Sequence, residues 1–559
     1  MILNTKLILE YNHFFQSEPP VSRLELIKNI PKKNLIIEIA GLNYRLKTFK
    51  KLKYDFSIEA QYREIERFCP IDKGLQNHYL TIFNSFVSSK NFPLIFNRAT
   101  NLFALEEIIS SDIFIPDDEK FSMNNPAVWN AILKYLLAVN TEVVKFINIP
   151  NEELTLEKVS ASAISLNELM IEDNPINTVF RGIKLIQYLS NHAVYGPEIN
   201  QYFKDILKID KDKFIYTILS LCGGNEKPNY ELEFIYNHKD IEPILDFFSG
   251  SSIINRDPIK LLNIKKNPFY KFAEETHILL DINFLVNKTY NFLLNDFWFD
   301  YLKPQKDEMG NEIYNYKHYR SAFGLFFEDY IREIITNSFD YLKHPGPLLF
   351  DKLKIPGPDG DIEVADIYIR QNKKVLVGQV KSSSIYDKEK FSGDIDILYR
   401  NNREQFFKDF GVDQTLASIK TVLRHSKLFD VRLNPDKRID FYPLVIVNDK
   451  IFQTPLLPHL LHTRFQELLE SEDLTPHIIH PLVVMNVADI EYLENSLAKK
   501  KTTIWNIMKL HYRKFGKSIM PPFIITADRF ITPECITKRV TEPMCKIINT
   551  YADQKSDKK

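Results

Sequence analysis

The sequence predicts a multidomain α/β protein in which a mostly helical region precedes one where helices and strands alternate. Three observations carry this. The chain has 559 residues, enough for three or four domains at roughly 100–200 residues each. Between residues 101 and 255 apolar side chains recur at spacings of three and four. Between 256 and 475 such stretches alternate with short β-rich runs bounded by turn residues.

Taken in order, residues 1–100 read as a mixed α/β region. Leu35–Ala40 is a strand candidate there, and Ser22 caps a helix start. Residues 101–255 read as a helical scaffold or recognition region. Val128, Trp129, Ile132, Leu133, Leu136 and Leu137 form one stripe, and Val179, Ile183, Ile186 and Leu189 another. Residues 256–475 hold the concentrated chemistry. Residues 476–559 form a small mixed region, with a strand at His480–Met485, a helix starting at Asp489 and a frayed polar tail from Asp553.

Composition excludes several classes. With 44% hydrophobic and 26% charged residues the chain is not globally disordered. The net charge of −1 is unlike that of a protein coating nucleic acid, so any such contact must come from a local patch or a partner. Four cysteines, Cys69, Cys222, Cys535 and Cys545, form no CxxC pair, which argues against a disulfide framework or a cysteine zinc site. No signal peptide and no run of about 18 apolar residues is readable. The expectation is a cytoplasmic protein with no membrane partner.

Glu363–Arg370 and Val375–Lys381 are β-rich runs flanking the polar stretch Gln371–Lys374, which reads as a hairpin. Folding it about Asn372 and Lys373 sets Asp366 opposite Gln379, and Lys381 shares the face of Gln379. A metal-dependent phosphodiesterase needs such a group. Asp366 offers a carboxylate to a hard cation, with the Gln379 amide oxygen and the Val380 main-chain carbonyl as further ligands. Lys381 would orient a water or offset charge developing on phosphate. Upstream, Phe323, Phe326, Phe327, Tyr330, Ile331, Ile334 and Ile335 make one helical face. Glu328 sits at its border, with Gly324 leaving room one turn earlier, as an accessory ligand.

The order Glu328 on a helix, Asp366, then Gln379-Val380-Lys381 resembles the PD-(D/E)XK, or restriction-endonuclease-like, nuclease superfamily. Glutamine in place of a carboxylate resembles its Mrr-like branch. The resemblance covers residues 320 to 450, under a third of the chain. It implies a mixed sheet flanked by helices within 256–475 and cleavage of DNA, less often RNA, with Mg²⁺ or Mn²⁺. It also implies a polar residue near the site on the helix after the lysine strand, where Gln414 is the candidate. Phe441–Val447 would extend the sheet. Lys420 and Arg424, one turn apart, are candidates for phosphate contacts. Defence of a bacterium against foreign DNA fits this architecture by analogy, with the helical region engaging target, protein partner or a second copy. The alternative is a catalytically silent nuclease-fold scaffold or nucleic-acid-binding subunit, which the near-neutral charge and Gln379 favour.

Asp359 and Asp361, in a Gly-Pro-Asp-Gly-Asp run, rival Asp366, although in the hairpin register Asp361 would fall beyond Gln379, facing Ser384. Gly516-Lys517-Ser518 is not a phosphate loop, because His511 stands where the first glycine is required. The pairs His459/His462 and His477/His480 lack metalloprotease spacing. Lys499–Lys501 and Arg513-Lys514 read as solvated faces.

Overall fold

The computed structural model describes residues 6–48, 53–69, 72–88, 92–117, 121–145, 158, 161–172, 174–223, 235–236, 242–250, 260–342, 346–349, 353–357, 360–390, 392, 394–515, 520–530 and 537–556. Asp359 and the Gly516-Lys517-Ser518 run lie outside them. The chain is mixed α/β and folds as two compact units, Met1–Glu153 with Ser190–Phe297 and Leu154–Leu189 with Trp298–Lys559. This division does not follow the four consecutive regions read from the sequence. The segment 154–189 belongs with the C-terminal unit because Ala161 and Ile164 enter its core and Glu168 pairs there with Lys390.

The first unit is largely helical, with a three-stranded antiparallel sheet of Ile235–Tyr236, Phe269–Ala273 and Thr276–Leu279. Its centre holds a fully buried ion pair, with Arg98 Nε 2.7 Å and Nη2 2.8 Å from the Asp281 carboxylate. Asp281 also caps the helix Ile282–Asn287. The strand expected at Leu35–Ala40 is instead part of the helix Lys32–Arg45. Leu35, Ile36, Ile39, Ala40 and Asn43 are among its buried residues, and six residues, five of them apolar, carry too little period to separate a buried helix from a strand. At Ser22 only a four-residue 3₁₀ turn, Arg23–Leu26, forms, without a side-chain cap.

In the second unit the elements that build the site are α1 (Tyr316–Phe339), β1 (Leu348–Leu349), β2 (Lys354–Gly357), β3 (Gly360–Glu363), β4 (Ile367–Gln371), β5 (Lys374–Lys381), α2 (Val412–His425), β6 (Asp440–Val447), α3 (Leu457–Glu470), β7 (Ile478–Ile479), β8 (Val483–Asn486), α4 (Val487–Ala498) and α5 (Lys538–Ser556). Asn315 starts α1 by accepting from the amides of Lys317 and His318. A six-stranded mixed sheet runs β1-β4-β5-β6, with β7 and β8 both pairing β6. The pairs β1/β4 and β4/β5 are antiparallel; β5/β6, β6/β7 and β6/β8 are parallel. Separately, β2 and β3 form an antiparallel hairpin in which β3 is exposed along its length.

The β4–β5 register matches the one derived from the turn: Ile367 faces Gly378 and Gln371 faces Lys374. Asn372 closes the turn at φ 57°, a left-handed conformation that asparagine tolerates. Val375 and Val377 enter one core with Leu416, Ile419 and Val422 of α2 and Leu457, Leu461 and Phe465 of α3. By strand alternation Gln379 and Lys381 extend that face. Beyond the sheet, the expected strand at His480–Met485 starts at Val483, after Pro481. The helix placed at Asp489 starts at Val487, with Asn486 as cap and Asp489 completing a capping box. The C-terminal helix α5 runs to Ser556, past the expected frayed tail from Asp553.

Strand β4 is clamped from below by a buried charge. Arg370 donates through Nε and Nη2 to Asp430, the latter at 3.0 Å, and the Tyr368 hydroxyl adds a third bond at 2.7 Å. Removing one partner of such a pair leaves an uncompensated buried charge. Asp430→Ala is therefore expected to destabilise this unit by about 3–5 kcal/mol, read by urea denaturation; a loss under about 1 kcal/mol, the range of an exposed pair, would show that the hairpin stands without the clamp.

Candidate active site

Strand β5 ends between two helices. Gly411 precedes α2 at φ +71°, and a Cβ there would lie 2.7 Å from Lys381 Cε and 3.2 Å from Gln379 Cβ. A Cβ on Gly324 of α1 would reach Ser382 Oγ at 3.4 Å. Gly411 thus admits the last residues of the strand, a Cβ on Gly324 would make only an ordinary contact, and α1 packs on β5 and along α4. A buried network fixes α1: Tyr330 donates to Glu491 at 2.6 Å, Asn337 to Glu494 at 2.6 Å, and Arg181 pairs with Glu491 at 3.0 Å.

Four residues named from the sequence meet here. Asp366 is 7% exposed and accepts the Val380 amide at 2.7 Å through Oδ2. The N–H and C=O of one strand residue leave on the same side. The Val380 carbonyl therefore projects toward Asp366, while that of Lys381 takes the Asn448 amide of the chain after β6 at 3.1 Å. Gln379 donates through Nε2 to Ser418 of α2 at 3.1 Å, leaving Oε1 as the acceptor of the amide. Glu328, half-buried on α1, shares the electrostatic field of Asp366 and Lys381.

The charges tell what the cluster lacks. Burial pushes the Asp366 carboxyl up to about 6, against the pull of Lys381 and the Val380 amide. Burial, then Asp366 and Glu363, push Glu328 up to about 7, with Lys381 opposing. Buried carboxyls in one field with too little positive charge hold a proton or bind a cation. Among the described residues no group of three or more His, Cys, Asp or Glu is arranged around a metal position. The candidate donor set is instead two carboxylates, an amide oxygen and a main-chain carbonyl, which suits a hard divalent cation taking oxygen ligands.

Other candidates fall elsewhere. Asp361 pairs with Pro356 in the exposed β2–β3 hairpin, not with Ser384, and Glu363 of that hairpin is the residue whose charge reaches the site. Gln414 is exposed one turn before Ser418. Lys420 is bound to Glu472 at 2.6 Å, and Arg424 is exposed. At about 100° per residue, Lys420 and Arg424 lie roughly 160° and 120° around α2 from Ser418, so they turn away from Gln379. Gly411 and Ser418 are site residues that sequence reasoning missed. A glycine before an amphipathic helix was the available signal for the first; Ser418 had none, because its partner is 39 positions away.

No family model, curated protein or solved structure matches the chain.

The raised pKa values fix the sign of a pH effect. A carboxyl raised from 4.5 to about 7 adds stability that is complete below pH 4.5 and is lost as pH climbs through 7. The window for Asp366 runs from 3.8 to about 6. The cation-free protein should therefore lose stability between pH 5 and pH 8 relative to Glu328→Gln, and Mg²⁺ or Mn²⁺ at pH 8 should restore it. Parallel melting curves for the two proteins across that range would reject the pairing. A second expectation concerns Gly411→Ala. Left-handed strain should lower stability by about 1–2 kcal/mol, read by urea denaturation; an unchanged midpoint would show that the turn accepts a side chain beside Lys381.

Proposed function

We propose that the second unit is a restriction-endonuclease-like domain and that the chain is a metal-dependent endonuclease hydrolysing nucleic-acid phosphodiesters, with DNA the favoured substrate. The observation that supports it best is the meeting of Glu328, Asp366, Gln379 and Lys381 at the carboxyl end of β5, with the sheet register that the motif requires. Defence against foreign DNA is the biological setting that the resemblance suggests.

Glu328, Asp366, Oε1 of Gln379 and the Val380 carbonyl would hold Mg²⁺ or Mn²⁺. When bound, such a cation neutralises phosphate charge and acidifies a water. The chain does the rest. The Val380 amide orients the Asp366 carboxylate, and Ser418 holds the Gln379 amide by its nitrogen. The Lys381 ammonium, placed by Gly411, offsets charge that develops on the phosphate oxygens.

A second reading, a silent scaffold or nucleic-acid-binding subunit, draws on Gln379 and on the absence of a three-ligand cluster among the described residues. Metal binding separates the two. Mg²⁺ or Mn²⁺ should raise the melting temperature of the wild type but not of Asp366→Ala; a scaffold shows no such difference.

Cleavage tests the enzyme directly. With Mg²⁺ or Mn²⁺ the protein should cut plasmid DNA, with single-stranded RNA run beside it. Lys381→Ala should lose at least about 100-fold in rate while melting like the wild type. Full activity in that variant would sink the assignment.

A further inference from the structure

Several buried or half-buried cations of the second unit are matched by carboxylates. Arg181 pairs with Glu491, Arg370 with Asp430, Lys390 with Asp449, Lys420 with Glu472 and Arg539 with Glu494. Arg320 is different. It is half-buried on α1, its ring contact is with Phe323 at 5.2 Å, and its hydrogen bond runs from Nη2 to the Ser382 carbonyl at 3.2 Å. Among the described residues no carboxylate neutralises it. A guanidinium held over an aromatic ring and tied by one nitrogen keeps its remaining donors in a planar fork.

Its place on the helix gives that fork a purpose. Arg320, Gly324 and Glu328 lie at four-residue intervals, so they drift only about 40° per step and make one stripe along α1. Gly324 is the point where this stripe meets Ser382, directly after Lys381. Arg320 thus stands on the same edge as the carboxylates, about 12 Å further along the helix axis. With the guanidinium reaching back to the Ser382 carbonyl, that offset suits a phosphate neighbouring, along the same strand, the one beside Lys381.

We infer that Arg320 is a substrate-gripping residue of this site, binding a non-reacting backbone phosphate adjacent to the one that Glu328, Asp366 and Lys381 address. The inference rests on the nuclease reading for its substrate class. No chemistry is assigned to Arg320. It sets register by a charge-assisted, two-pronged contact to phosphate oxygens, which carries no base information and is shared by DNA and RNA.

The experiment measures binding, so that it can fail separately from catalysis. Short fluorescein-labelled duplex DNA and single-stranded RNA are titrated with the full chain in Mg²⁺ at several salt concentrations. All proteins carry Lys381→Ala, so that cleavage does not consume the probe. Adding Arg320→Gln should weaken binding about ten- to a hundred-fold and lower the salt slope by about 0.9 on duplex or 0.7 on single strands. Arg320→Lys should keep the slope and lose part of the affinity, which also guards against misfolding. A purely structural role, holding Ser382 in place, leaves the slope unchanged. An unchanged slope and affinity in Arg320→Gln therefore overturns the inference. Arg320-dependent binding without metal-dependent cleavage removes the nuclease reading and keeps the phosphate grip. No binding of either probe by the parent protein removes both.

Discussion

The turn at Asn372 and Lys373 decides which side chains of β4 and β5 meet. A slip of one residue would carry every side chain of one strand to the opposite face. Gln379 would exchange places with Gly378 or Val380, and Asp366 would lose the Val380 amide. The register is held at both ends. Asn372 supplies the left-handed residue at the turn, and the Arg370–Asp430 pair ties β4 to the loop after α2. Parallel pairing with β6 then fixes β5 along its whole length, from Lys374 opposite Asp440 to Lys381 opposite Val447.

The second contribution comes from a helix that belongs to no strand ladder. Glu328 reaches the site only because α1 is held at a set rotation, and that rotation is set by buried polar bonds to α4 as much as by the apolar stripe. Tyr330 and Asn337 flank Glu328 and its following turns, each bound to a buried glutamate that is itself paired with arginine. Apolar contact alone tolerates small rotations of a helix; directional bonds to buried charges do not, because each misaligned group would pay its desolvation without a partner. The stripe of aromatic residues buries α1, and the polar network aims it.

This distinction explains what the sequence disclosed. Hairpin, α1 and the order of Glu328, Asp366, Gln379 and Lys381 are legible because each rests on local period or on a turn of known geometry, whereas β6 was expected from the resemblance. Leu35–Ala40 was misread because so short a stretch, five of its six residues apolar, is compatible with either a strand or a buried helix. The joining of residues 154–189 to the C-terminal unit was invisible because it depends on Ala161 and Ile164 entering a distant core and on Glu168 finding Lys390, 222 positions away. The same holds within the site. Gly411 and Ser418 face β5 only once α2 has docked, and Lys420 looked free until Glu472 was seen beside it. Local pattern discloses elements; which polar groups remain unpaired is a property of the assembled fold.

That unpaired remainder is where the net charge of −1 becomes informative. At the carboxyl end of β5 the carboxylates of Glu328, Asp366 and Glu363 outnumber the cations Lys381 and Arg320. An edge so composed repels phosphate when its carboxyls are ionised. Protonation relieves the repulsion, as the raised Glu328 and Asp366 values indicate, and so does a divalent cation. On the proposed reading the cation therefore does more than chemistry: it reverses the local sign and lets Lys381 and Arg320 act on a backbone that the bare site would turn away. Phosphate affinity and cation affinity are then linked, each raising the other by the same factor, and a chain with no excess of basic residues can still take hold of nucleic acid at one edge.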